Sequence, residues 1–361
     1  PVSAHAAVWD IGKGDITISV GSGGQTVTQG GGAAVNDSAP VITGSSTDNT
    51  LTINAEKDQT ASVTLSGANI DVSGKGKAAV STNGEGNASI ELDGENTLKS
   101  ATNHAGLEKN NGGSLTIADE DKNGKLTAEG GIYGAGIGGG YEGEGSNIAI
   151  TGGEVEATGG IGGAGIGGGK NGAGSSIAIT GGEVKATGGL NGAGIGGGLW
   201  GKGKDITISG DAQLKVQGGV GDYFDGPGAG IGDGGSRPKE STGGNPIPGT
   251  EVEPDTSGLT TNGSIEYYAP GADMEKDKPE KTTVGTLPPQ EKPVEPIEPA
   301  EPEQPEAERG MDAPLYRVTD RDGRDIAYTA EQKGGVLTVT ADEDLAILTG
   351  RLSGIRTLKA Q

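Results

Sequence analysis

Through the first two thirds of the chain, apolar residues come in pairs one residue apart, and the pairs return on a schedule. One set reads Ile16-Thr17-Ile18, Val63-Thr64-Leu65, Ile90-Glu91-Leu92, Leu115-Thr116-Ile117, Ile148-Ala149-Ile150, Ile177-Ala178-Ile179 and Ile206-Thr207-Ile208. A second reads Val27-Thr28-Gln29, Ile70-Asp71-Val72, Leu98-Lys99-Ser100, Leu126-Thr127-Ala128, Val155-Glu156-Ala157, Val184-Lys185-Ala186 and Leu214-Lys215-Val216. A third begins at Ala33, Ala78, Ala105, Ala135, Ala164, Ala193 and Ala229, and its later members sit in GAGIGGG at 134–140, 163–169 and 192–198 and in GAGIGDG at 228–234. The central copies are 29 residues apart. Alternation at period two is the strand signal. Segments this short cannot stand alone, so their joint return predicts a stack in which each pairs with its equivalent one repeat later.

The expected fold is all-β, a right-handed parallel β-helix over residues 7–235 with three short strands per coil of about 27 to 30 residues. Glycine suits the corners between strands, where a positive φ carries no steric penalty for it. In an A-G-I segment Ala and Ile face inward and the middle residue faces the other way, which stacks Gly106, Gly136, Gly165, Gly194 and Gly230 into a stripe without side chains. Such a stripe is either a flat docking surface or the consequence of a neighbouring segment packed close against it. Outward positions of the second set carry Asp71, Lys99, Glu156, Lys185 and Lys215, a solvated face in which Glu156 and Lys185 stand one coil apart.

Composition narrows the partners. Of 361 residues 74 are Gly, about three times average usage, and aromatics are only 3%. The net charge of -23 leaves no basic stripe for nucleic acid. The chain has no Cys, hence neither disulfides nor thiolate metal sites. No apolar run approaches the roughly 20 residues of a membrane-spanning helix, so no membrane insertion is expected. Ala4-His5-Ala6 has the small-x-small form of an export cleavage site, making 1–6 the expected remnant of a signal peptide.

Candidate chemistry is sparse. Asp119-x-Asp121-x-Asn123-Gly124-Lys125 matches the first half of a Ca²⁺ loop, but position 12 is Gly130 where a bidentate Glu belongs, so a polar turn is the competing reading. Tyr133, Tyr141, Trp200, Tyr223 and Phe224 all lie within about eight residues of an A-G-I segment and could offer faces for sugar rings. For Tyr223 and Phe224, in an insertion at 220–227, covering the end of the stack is the alternative. The two His, His5 and His104, have no recognisable partners in the sequence. The carboxylate cluster with a neighbouring Arg or Lys that a Ca²⁺-dependent polysaccharide lyase needs is missing from 130–235, and the expected protein is not an enzyme.

From 236 to 310 the chain turns to Pro and Glu, as in EKPVEPIEPAEPEQPEAE, and reads as an extended linker. Residues 311–361 read as a small β module continuing beyond the last residue, with a hairpin turning at Asp322-Gly323.

GAGIGGG, NIAITGGEVEATGG and ASIELDGENTLKSATNHAGLEKNNGGSLTI resemble the glycine-rich repeats of secreted clostridial cell-surface proteins of the carbohydrate-binding-domain-containing type, which have a pectate-lyase-like β-helix. The resemblance covers about residues 7–235. It implies a Gram-positive bacterial surface location and polysaccharide binding, and it carries over no catalytic residue. The resulting expectation is a monomeric, extracellular glycan-binding module. An adhesin or immune-facing protein that binds a host protein, and a passive spacer, are the alternatives.

Overall fold

The computed structural model describes residues 6–237 and 245–286, together with the backbone of five strands between 316 and 360. Residues 6–237 and 245–286 build a parallel β-solenoid of about seven turns with three faces. The first face stacks Asn87–Asp93, Leu115–Ala118, Gly145–Ile150, Gly174–Ile179 and Gly203–Ile208. The second stacks Glu95–Lys99, Lys125–Glu129, Glu154–Thr158, Glu183–Thr187 and Gln213–Gln217. These two faces join through the long strand Thr60–Asp71, whose first half pairs with Asn87–Asp93 and whose end pairs with Glu95–Lys99. The A-G-I segments form the third face, running from Ile16–Gly21 through Leu51–Ala55, Val80–Gly84 and Leu107–Lys109 to Ile137–Gly138, Ile166–Gly167, Ile195–Gly196 and Ile231–Gly232.

The interior is one continuous column of aliphatics. Ile117, Ile150, Ile179 and Ile208 face Ile137, Ile166, Ile195 and Ile231 across it, and Val155, Val184 and Leu214 close the third side, all fully or almost fully buried. Asn96 takes the inward place of an aliphatic in this column with its hydrogen bonds met: it accepts from Ala68 N and donates to the carbonyls of Asp93, Gly94 and Lys125. Burial without that saturation would cost several kcal/mol.

The repeat is placed as expected from residue 60 onward, with two adjustments. Leu115-Thr116-Ile117 pairs with Ala88-Ser89-Ile90, and Leu98 pairs with Ala128, so both registers are displaced by two residues from the alignment of the motifs. A shift of two leaves every side chain on its own side of the sheet. It brings Lys99 beside Glu129, at 2.8 Å.

The first coil departs further. Ile16-Thr17-Ile18 lies on the third face, and Val27 belongs to Gly24–Gln29, which folds back antiparallel on Ile16–Gly21. Ala33 is exposed and outside the stack. Period-two alternation is the same for parallel and antiparallel neighbours, so the motif could not report its partner.

Part of the expected linker is folded. Residues 245–286 are folded onto the last coil: Ser264–Tyr268 extends the second face in parallel and Lys281–Val284 closes it antiparallel. Leu259, Ile265, Tyr267 and Met274 are buried. Residues 238–244 and 287–310 of the expected linker, and residues 1–5 of the expected leader, lie outside the described residues.

In the unit beyond Lys292, Tyr316–Thr319 pairs antiparallel with Ile347–Gly350. The hairpin is Tyr328–Lys333 with Val336–Ala341, separated by Gly334 and Gly335, and not a pair turning at Asp322-Gly323.

Candidate functional site

The glycine stripe is not a surface. Gly136, Gly165 and Gly194 are buried, and a Cβ on Gly136 would stand 2.6 Å from both Gly165 O and Thr158 N. The end of each second-face strand crosses directly behind the third-face segment, which leaves no depth for a side chain. At the neighbouring turn Gly189 rests on the carbonyl of Gly160, and Gly160 on that of Gly131. These glycines are spacers between stacked backbones, as the close-packing alternative has it, and the docking role offered for Gly136, Gly165 and Gly194 is corrected accordingly.

The Ca²⁺ reading also fails to converge. Asp119 is buried, and its carboxylate accepts from Asn123 N at 3.3 Å and Gly124 N at 3.0 Å, so it closes its own turn. Asp121 and Asn123 are exposed, and Lys125 donates to Glu154 at 2.6 Å. Among the described residues no three His, Cys, Asp or Glu gather as a metal set. The turn instead walls one end of a trough of about 720 Å³ floored by Gly152, Gly153, Gly181 and Gly182.

What the fold does collect is the aromatics. The turn before each A-G-I segment and the loop after it lie side by side on one corner of the solenoid, held by Lys170 N to Tyr133 O and Leu199 N to Gly162 O. Successive coils place Tyr133, Gly162 and Asn191 in one column, and Tyr141, Lys170 and Leu199 in the next. The rings of Tyr133 and Tyr141 are 5.6 Å apart and tilted. Lys170 Nζ sits 4.4 Å from the Tyr133 ring centre and 5.0 Å from that of Trp200. The Arg237 guanidinium lies 5.0 Å from Trp200 on its own account and 5.8 Å from Phe224, and Tyr223 meets Phe224 edge-on at 5.1 Å. Rings and cations thus alternate from Tyr133 to Phe224, with Tyr141 and Tyr223 packed at the two ends. Each cation–ring contact at such an exposed site contributes about 0.5 to 1 kcal/mol.

One buried carboxylate fixes the far end of this strip. Asp225 accepts from Trp200 Nε1 at 2.9 Å and from Arg237 Nε and a terminal guanidinium nitrogen at 3.2 and 3.0 Å, while its carbonyl accepts from Asn191 Nδ2. This ion pair keeps the Arg237 guanidinium even more strongly protonated than usual. Tyr223 and Phe224 are 87% and 62% exposed and cover no apolar interior. The end-covering role is filled by Leu259, Ile265 and Tyr267 instead.

At the other end, His104 has a partner the sequence did not reveal. Its Nδ1 is 2.8 Å from Glu108 Oε2, and the same nearly buried carboxylate accepts from Ala105 N and Asn110 Nδ2. Lys170, Arg237 and Asp225 were likewise missed. For Lys170 the signal was present, because it falls 29 residues after Tyr141 and therefore beside it. Beside the rings runs an exposed aliphatic column of Ile132, Ile161 and Val220. No protein-family model, curated protein or solved structure matches the chain.

Proposed function

We propose that the chain is a non-catalytic, extracellular glycan-binding module whose platform is the corner carrying Tyr133, Tyr141, Lys170 and Trp200. The observation that carries this reading is where two of the rings are placed. Tyr133 has φ 74° and Trp200 φ 66°, left-handed conformations that bulky residues rarely adopt. The turn is left-handed on every coil: the equivalent positions hold Asn103, Gly162 and Asn191 for Tyr133, and Glu142 and Asn171 for Trp200, most of them residues suited to that conformation. Each ring is therefore held at a cost of about 1 to 2 kcal/mol that Gly would avoid, and such outliers cluster at functional sites. Tyr141 and Trp200 remain 43% and 41% exposed. The resemblance noted in the repeats points the same way and adds the bacterial surface as the location.

A glycan array run with and without Ca²⁺ tests the reading: specific binding that is lost in Tyr141→Ala and Trp200→Ala supports it. The aliphatic column of Ile132, Ile161 and Val220 favours a second reading, an adhesin that binds a host protein. A blank array together with tight, saturable binding to a host protein would replace the first reading with this one.

A further inference from the structure

Resting on the glycan reading, we propose that Lys170 makes the platform selective for saccharides that carry carboxylate or sulfate groups. Around this corner Asp225 and Asp222 already have donors. Glu142, next to Tyr141, pushes the pKa of its hydroxyl up. Asp225 holds Arg237 and Trp200. Asp222 accepts from the backbone N–H of Phe224 and Asp225. Lys170 is the charge left over: among the described residues no carboxylate lies within 4.0 Å of its Nζ, in a chain of net charge -23.

Its ammonium also occupies the place where a sugar would stack, between the rings of Tyr133 and Trp200. A neutral pyranose settling there must push the ammonium off both rings and gives it only hydroxyl oxygens in return. A saccharide bearing an anionic group keeps the ammonium paired through a charge-assisted hydrogen bond, roughly twice as strong as a neutral one. The overall acidity of the chain does not cancel this contact, because charges farther than about 8 Å are largely screened at physiological ionic strength.

The test is affinity electrophoresis of the full chain through gels containing hyaluronan, dextran sulfate or dextran, which separate carboxylate, sulfate and neutral ligands. The intact protein is expected to be retained at least about tenfold more strongly by one or both acidic polymers than by dextran, the worth of one charge-assisted contact. Lys170→Gln should bring that ratio close to one, and Lys170→Arg should keep it, with thermal unfolding confirming that both variants are folded. Equal retention by acidic and neutral polymers, or a preference untouched in Lys170→Gln, overturns the selectivity of Lys170 and leaves the glycan reading standing. Absence of retention by any polymer, with a blank array, removes both.

Discussion

Gly136→Ala adds a single methyl group and separates the two meanings a glycine stripe can have. A methyl there would sit 2.6 Å from the carbonyl oxygen of Gly165 and 2.6 Å from the amide nitrogen of Thr158, where real Cβ contacts essentially never fall below 3.0 Å. Both obstacles are backbone, so no side chain can rotate away and the coils themselves must part. Overpacking of this kind costs about 1 to 3 kcal/mol. The displacement also stretches the bonds from Gly136 N to Ala164 O and from Leu107 N to Gly136 O, both 3.0 Å, at roughly 1 kcal/mol each. The expected loss is therefore about 3 to 5 kcal/mol, concentrated in the coils on either side because stacked repeats interact mainly with their neighbours. Gly23→Ala is the control, since nothing lies within 4 Å of its added methyl, and it should change stability by no more than about 0.5 kcal/mol. Urea unfolding gives the magnitude, and amide exchange at Leu107 and Ile137 gives the location. If Gly136→Ala unfolds like the parent, the third face is open to solvent behind Gly136 and the spacer account is wrong.

Ile166→Asp places a carboxylate at a fully buried point of the interior column and should cost more than 4 kcal/mol; an unchanged melting temperature would refute the inward register of the third face. Burial lowers the pKa of Lys109 to about 8 from the usual 10.5, so between those values the unfolded chain binds the extra proton and stability should rise by about 2 to 3 kcal/mol from pH 8 to 10. Above that window the gain should reverse, because Tyr268, pushed up to about 12, and Tyr267, pushed up by burial, stay protonated in the fold when the unfolded chain gives up those protons. Denaturant titrations across this range check both signs, and Lys109→Met should flatten the rise. Asp225→Asn should release Arg237 and raise the proteolytic susceptibility of 220–227; a protection pattern identical to the parent would show that Asp225 does not pin the insertion.

The architecture was legible because two constraints coincided in the same residues. A strand needs alternation and a stack needs recurrence, and Ile148, Ile177 and Ile206 satisfy both at once. Where only alternation was present, as at Ile16 and Val27, the choice of partner was undetermined and the hairpin was missed. Proline content misled over 245–286, since Ile265 and Tyr267 need only one strand to bury themselves against Leu214 and Val216 of the last coil. The corner glycines were read through backbone conformation and the Gly136 stripe as either a docking surface or close packing; at Gly136 and Gly189 the constraint is distance to another coil, and no local pattern says which segment lies there. The aromatic corner was half legible: the period brings Tyr141, Lys170 and Leu199 into one column, whereas the grip of Asp225 on Trp200 and Arg237 depends on an insertion that breaks the period.

The chain contains two tryptophans, and Trp9, bonded to Asp37, is remote in sequence from the aromatic corner. A Trp9→Phe protein therefore reports through Trp200 alone. Titrating it with the best ligand from a glycan array, while following emission and quenching, measures directly whether the sugar lands on the corner. The account predicts a saturable change in Trp200 emission that disappears in the Tyr141→Ala background. Saturable glycan binding that leaves Trp200 unchanged would contradict it.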